Sequence, residues 1–201
     1  MRIRSEVNNE LVIKKSRFIG YLQRVDNEQQ AKDYIKKIKK LHPKANHHCQ
    51  AFIIDHDLQR SNDDHEPSGT AGIPMLEVLR HREMDKICAV VVRYFGGILL
   101  GGGGLIKAYS QSVVEALNKA NLYQCIEYDR YQIIFDYPFI DRIDYLLKDE
   151  TIEKRDYQAQ VTYQFLCNNE QIINQLSELT NGTIVIEKLN QTVVENIVKD
   201  G

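Results

Sequence analysis

Polar and apolar residues alternate through Glu10-Leu11-Val12-Ile13 and Phe18-Ile19-Gly20-Tyr21-Leu22, the period of a half-buried strand. Asn8-Asn9 reads as a turn pair, so the opening to Val25 predicts two or three antiparallel strands. Apolar spacing then changes: Ala31, Tyr34, Ile35, Ile38 and Leu41 recur at helical intervals, with Asp26 as a cap and Gln29 in the third helical position. This predicts a helix over 27–41, ended by Pro43, and a strand over 49–54. A polar loop to Gly72 follows, long for a structureless connection and therefore a candidate site. Pro74 suits the first turn of a helix that turns Leu76, Val78 and Leu79 inward. Residues 87–95 read as a central strand, and a glycine-rich segment leads into a helix reaching about residue 119.

Beyond Asn121 the pattern predicts strand 127–136, helix 139–148, strands 151–157 and 160–167, helix 170–180 and strand 184–189. That βαββαβ order is the ferredoxin-like arrangement, two helices on one face of an antiparallel sheet. The reading is α+β with two domains, a βββαβαβα domain over 1–122 and a ferredoxin-like domain over 126–201.

Composition adds constraints. Of 201 residues, 43% are hydrophobic, 27% are charged and 4 are Pro, which excludes a disordered chain. No apolar run approaches a membrane span of about 18 residues, and the start MRIRSEVNNE offers no signal peptide, so a cytoplasmic protein with no membrane partner is expected. Cys49, Cys88, Cys125 and Cys167 form no C-x-x-C and read as reduced core residues. The net charge of −2 is uneven: through residue 120 there are 19 Lys and Arg against 14 Asp and Glu, and beyond it 7 against 14. Such polarity fits an anionic partner for the amino half, or mutual attraction of the two domains.

The segment Gly96-Gly97-Ile98-Leu99-Leu100-Gly101-Gly102-Gly103-Gly104 holds six of the chain's 11 glycines, so something must approach this backbone. Amides at a following helix start form a natural anion site. Lys107 is placed in or near the first turn, and Arg93 offers a planar donor fork. Both G-x-x-x-x-G-K-[ST] and G-x-G-x-x-G fail here. Tight helix–sheet packing, contact with a phosphate backbone and a nucleotide pocket remain open readings of the glycines.

Asp63, Asp64 and Glu66 cluster in the polar loop with Ser68 and Thr70. They read as helix caps around turn glycines, as a partner-facing surface or as a cation site, without calcium-loop spacing. His42, His47, His48 and Cys49 raise zinc, but His47 and His48 point to opposite faces of a strand and no other motif supplies ligands; neither metal nor cofactor is expected. Lys36, Lys37, Lys40 and Lys44 make a basic surface that is either solvated or an RNA contact through charge alone. Ser68 beside His65 is the nearest approach to a hydrolytic site and lacks the setting of one.

The runs Lys15-Ser16-Arg17-Phe18-Ile19, His48-Cys49-Gln50-Ala51-Phe52, Asp63-Asp64-His65-Glu66-Pro67-Ser68-Gly69-Thr70-Ala71-Gly72-Ile73-Pro74 and Val92-Arg93-Tyr94-Phe95-Gly96-Gly97, continued through Leu105, resemble the YigZ/IMPACT signature over roughly residues 10–120. His65 departs from it, standing where the family usually has Gly. The resemblance implies an amino-terminal domain with the left-handed βαβ fold of a ribosomal protein and the GHMP kinases, and a tail similar to the carboxyl-terminal domain of elongation factor G. It also implies a translation-associated regulatory or binding protein rather than an enzyme. Its partner would be RNA, ribosome or a translation factor, met through a cleft of Arg93, the glycine loop and Lys107 facing the acidic loop. The enzymatic alternative is nucleotide-binding phosphoryl transfer or hydrolysis at the same loop.

Overall fold

After a short β1 (Arg2–Ile3), the alternating segment folds in the computed structural model as a hairpin of β2 (Val7–Ile13) and β3 (Ser16–Arg24). The structure describes residues 1–197. Asn8 and Asn9 are not the turn: they lie within β2 opposite Tyr21 and Gly20. The chain reverses at Lys14 and Lys15, with φ of 46° and 64°, the two left-handed residues of a turn whose backbone twist matches that of the flanking strands.

Helix α1 (Glu28–Leu41) is capped one residue later than the sequence suggests. Asn27 accepts from the N–H of Gln30, and the Gln30 side chain accepts from the N–H of Asp26 at 2.8 Å. Ala31, Tyr34, Ile35 and Ile38 are buried, whereas Leu41 is exposed in the last turn. The next strand, β4 (His47–Ile53), is followed by β5 (Gln59–Asn62) inside the segment expected to be loop. Polar β5 carries no apolar period; its pairing with β4 is an edge interaction made by backbone alone. Helix α2 (Gly72–His81), β6 (Ile87–Tyr94) and α3 (Gly102–Leu117) complete the pattern before β7 (Leu122–Phe135).

The fold has two compact units, one of Met1–Gln124 with residues 196–197 and one of Cys125–Glu195. In the first, the antiparallel sheet runs β2-β3-β6-β4-β5, and β1 pairs with Leu122 and Tyr123 at the start of β7. Central β6 is buried from Ile87 through Arg93. Its alternation feeds two cores: Ile87, Ala89 and Val91 pack with α2 and α3, while Cys88, Val90 and Val92 pack with α1. A strand covered on both faces reads as a continuous apolar run, which is why it was legible in the sequence.

In the second unit a short 3₁₀ turn (Tyr137–Phe139) precedes α4 (Ile140–Leu146), then β8 (Thr151–Tyr157), β9 (Val161–Cys167), α5 (Glu170–Leu179) and β10 (Val185–Ile197). The strands run β10-β7-β9-β8, and Ile143 and Leu176 of the helices join Ile133, Phe135, Tyr163 and Phe165 in one core. Residues 198–201 of the expected second domain lie outside the described residues. Cys49, Cys88 and Cys167 are buried as expected, but Cys125 is only half-buried. No described helix is long and apolar enough to cross a membrane.

Candidate functional site

The first unit has a cavity of about 420 Å³ between the end of β6, the loop before α2 and the start of α3, a volume in the range of ligand sites. Asn46, His47, Glu66 and Arg93 form its polar part; Pro67, Phe95, Leu99, Leu100 and Leu105 form apolar walls, and Gly101 and Gly102 open onto it. A cavity of about 530 Å³ in the second unit is lined largely by charges of both signs, including Asp144, Lys148, Glu153 and Arg155. It lacks a comparable apolar wall.

Arg93 does not extend a free fork towards solvent. It is 5% exposed, its guanidinium lies 5.3 Å and 5.5 Å from the ring centres of Phe18 and Phe95, and Nη1 donates to Glu66 Oε1 at 2.6 Å. The same oxygen accepts from the Tyr109 hydroxyl at 2.7 Å and lies 3.8 Å from His47 Nε2. Burial first, then the neighbouring Cys49 and Glu66, pushes the Tyr109 hydroxyl upward, so it stays a donor. Burial likewise pushes the Cys49 thiol to about 12, and it donates to the Asp63 carbonyl at 3.0 Å. Arg93 Nε is buried with no hydrogen-bond partner. Leaving such a donor unpaired costs about 1–3 kcal/mol, so the group needs an explanation.

The acidic loop splits into three roles. Asp63 holds the entry to α2: Oδ1 accepts from the N–H groups of Ala71 and Gly72 at 3.0 and 2.7 Å, and Oδ2 from Gly69 at 2.8 Å. It caps remotely a helix whose own N-cap, Ala71, cannot. Asp64 accepts from Lys39 Nζ at 2.8 Å and from the N–H of His48 at 2.7 Å. Burial opposes its charge, yet these donors hold its carboxyl below the usual range. Of the three carboxylates only Glu66 lines the cavity; the acidic residues form no shared cation site, and no cluster of three metal-ligating side chains occurs among the described residues. Thr70 turns its hydroxyl onto the Pro67 carbonyl at 2.6 Å, and Ser68 is exposed. His65 has φ of 71°, a left-handed position that a glycine would take without strain.

The glycines divide similarly. A Cβ on Gly96 would fall 2.0 Å from the Lys15 carbonyl carbon, so that glycine serves the crossing of two backbones. Gly97 and Gly101 have φ of 83° and 73°. Gly104 sits against Leu100. Gly102 and Gly103 are neither left-handed nor crowded: a Cβ on Gly103 would meet nothing within 4 Å, and one on Gly102 only the Thr70 methyl at 4.0 Å. They form the exposed first turn of α3, which has no side-chain cap and no acidic residue, so its amides are open to an acceptor.

Lys107, expected beside those amides, is in the second turn, because α3 begins at Gly102 rather than after the glycines. It lines a separate cavity with Ile13, Lys14 and Gln111. Among the described residues, no lysine therefore lines the glycine cleft. The basic residues of α1 belong to the other side of the sheet. Lys37 is paired with Glu6 at 2.6 Å, while Lys36, Lys40 and Lys44 make no ion pair among the described residues.

Sequence reasoning missed His47 and Tyr109 as members of this cluster, and the apolar wall of Pro67, Phe95 and Leu99. Cross-strand register places His47 opposite Arg93, and only the packing of α3 brings Tyr109 to Glu66.

The description "Impact N-terminal domain" matches residues 14–117. IMPACT family member YvyE of Bacillus subtilis is 42% identical, covering 94% of this chain and 91% of that protein. IMPACT family member YigZ of Escherichia coli is 42% identical over 73% of this chain and 75% of its own. A crystal structure described as that of a hypothetical protein superposes with a TM-score of 0.60 at 34% identity, covering 94% of this chain and 96% of the other.

Proposed function

This chain belongs to the IMPACT family, and on that premise we propose that it is a binding protein of the translation apparatus whose glycine cleft takes an anionic group of a protein partner. The observation that carries the reading is the uncapped first turn of α3, where Gly102 and Gly103 stay bare without steric need. The family resemblance supplies the link to translation. A protein partner suits the site better than RNA: the cleft is walled by apolar side chains and, among the described residues, lined by no lysine, whereas nucleic-acid affinity draws on several Lys or Arg contacts. The basic helix α1 is also partly neutralised by Glu6, Glu28 and Asp64. The same absence of lysine disfavours a nucleotide polyphosphate.

The fold side of the proposal keeps a ribosomal-protein/GHMP-kinase-like first domain over 1–122 and a ferredoxin-like second domain from 126. The strand order β10-β7-β9-β8 supports the latter.

The test uses purified ribosomes, structured RNA and purified initiation and elongation factors, with Gly103→Asp as the probe variant. A carboxylate there has room and suits a helix amino terminus, so the fold is retained while the anion site is filled internally. We expect salt-sensitive binding to a protein factor that weakens at least tenfold in the variant. Binding to nothing, binding indifferent to Gly103→Asp, RNA binding lost in the variant, or thermal stabilisation by millimolar ATP with magnesium would each overturn the reading.

A further inference from the structure

Resting on that reading of the cleft, we propose that the group it takes is the terminal carboxylate of a polypeptide chain that ends in an apolar residue. Two independent observations meet there. The first is the uncapped first turn of α3, whose Gly102 lines the cavity and whose Gly103 follows it in the same turn. The second is Arg93, a cavity-lining side chain 5% exposed whose Nε–H lacks a partner.

Charge selects the carboxylate over a phosphate. The Arg93 cation is already matched by Glu66, and among the described residues no lysine lines the cavity, so the attraction left over is that of the helix end, about half an elementary charge. That suits one negative charge; a phosphate dianion would add repulsion from Glu66 without a further cation to offset it.

Shape selects the apolar neighbour. Pro67, Leu100 and Leu105 stand beside the amides as part of the wall, and a cavity of about 420 Å³ accommodates one large side chain with its carboxylate. The rim selects a polypeptide over a free amino acid. Phe95 and Leu99 of the wall, with Ile98 between them in the chain, remain 44%, 81% and 40% exposed, apolar surface that only a longer ligand would cover. Capture of a chain terminus by successive backbone amides is a recurrent recognition mode. Asn46 fixes the start of the loop by accepting from the N–H of Phe95 at 2.8 Å, and Ser16 does the same for Gly96 at 3.1 Å, so the glycine segment leaves β6 from an anchored start.

The experiment measures fluorescence anisotropy of fluorescein-Ala-Ala-Ser-Xaa peptides, with Xaa Leu, Phe, Asp or Lys, each as free acid and as amide, added to the full chain. The expected result is binding of the Leu and Phe free acids at least tenfold tighter than their amides or the Asp and Lys peptides. Free leucine should compete weakly. Gly103→Asp should abolish this binding, and Leu99→Ser, at a rim position that contributes little to the fold, should reduce it several-fold with circular dichroism unchanged. Equal affinity for acids and amides, no binding of any peptide, or equal competition by free leucine overturns the inference. If the peptides fail while factor binding still depends on Gly103, the carboxylate assignment falls and the anion cleft stands. If factor binding ignores Gly103 as well, both fall.

Discussion

Glu66 and Arg93 form an ion pair of 2.6 Å with side chains only 3% and 6% exposed, and the pair closes the base of the cleft that α3 opens. Its carboxylate comes from a loop and its guanidinium from the central strand, 27 positions apart in sequence. Removing one partner leaves a charge in an apolar setting. Glu66→Ala should therefore lower the unfolding free energy by about 3–5 kcal/mol, read from urea midpoints. Replacing both residues by Met should cost far less. A double variant as unstable as the single one would mean that the pair itself stabilises the fold.

Asp63 is the remote cap of α2 through three backbone donors. Asp63→Ala should cost about 2–3 kcal/mol, since it strands several amides at once. Differential scanning calorimetry would detect it, and a loss below about 0.5 kcal/mol would show that other acceptors replace the carboxylate.

In the same loop His65 is exposed and carries φ of 71°. Its change to Gly should raise stability by about 1 kcal/mol by relieving a left-handed side chain. A destabilised H65G protein would mean that the unfolded-state entropy of glycine outweighs this relief.

Two glycines of one segment should respond oppositely. Gly96→Ala drives a methyl into the Lys15 backbone and should destabilise by about 3 kcal/mol. Gly103→Ala meets open space and should stabilise by up to about 1 kcal/mol through helix propensity. Paired denaturation curves check both; equal effects would contradict the division of roles among the glycines.

His42 bridges two phenols, with Tyr21 at Nε2 and Tyr94 at Nδ1, 2.7 and 2.9 Å away. Burial first, then His48 and Arg17, holds its imidazole below the ordinary value, against a smaller opposing pull from Glu10. The folded protein thus takes up this proton less readily than the unfolded chain. The resulting stabilisation is complete above about pH 6.5 and is lost as pH falls through the folded pKa. Urea midpoints followed from about pH 8 to 5 should fall in the wild type and fall less in His42→Gln; identical slopes would exclude His42 as the source.

Period and punctuation alone determined most of the elements. The helical spacing of Ala31, Tyr34, Ile35 and Ile38, the unbroken apolar run of β6 and the alternating segments beyond Asn121 each carry a local signal, because burial of one face fixes which residues recur. Local choices of cap and turn were less legible. Asn27 rather than Asp26 caps α1, since both neighbours satisfy the same capping rule, and Lys14-Lys15 rather than Asn8-Asn9 turns the hairpin, since strand register overrides turn propensity. Strand β5 left no trace, since its polar residues pair with β4 through the backbone and carry no apolar period.

The glycine segment likewise announced that backbone would be approached, but only tertiary structure separated Gly96, pressed against Lys15, from Gly103, facing open space. It also withdrew Lys107 from the cleft, assigned Asp63 to α2, and joined Glu66, Arg93, His47 and Tyr109 from four separate segments. The reason is physical. Hydrophobic period is a property of neighbouring residues and survives in the sequence, whereas a buried charge cluster exists only where long-range packing removes water and leaves each polar group to find a partner across the fold.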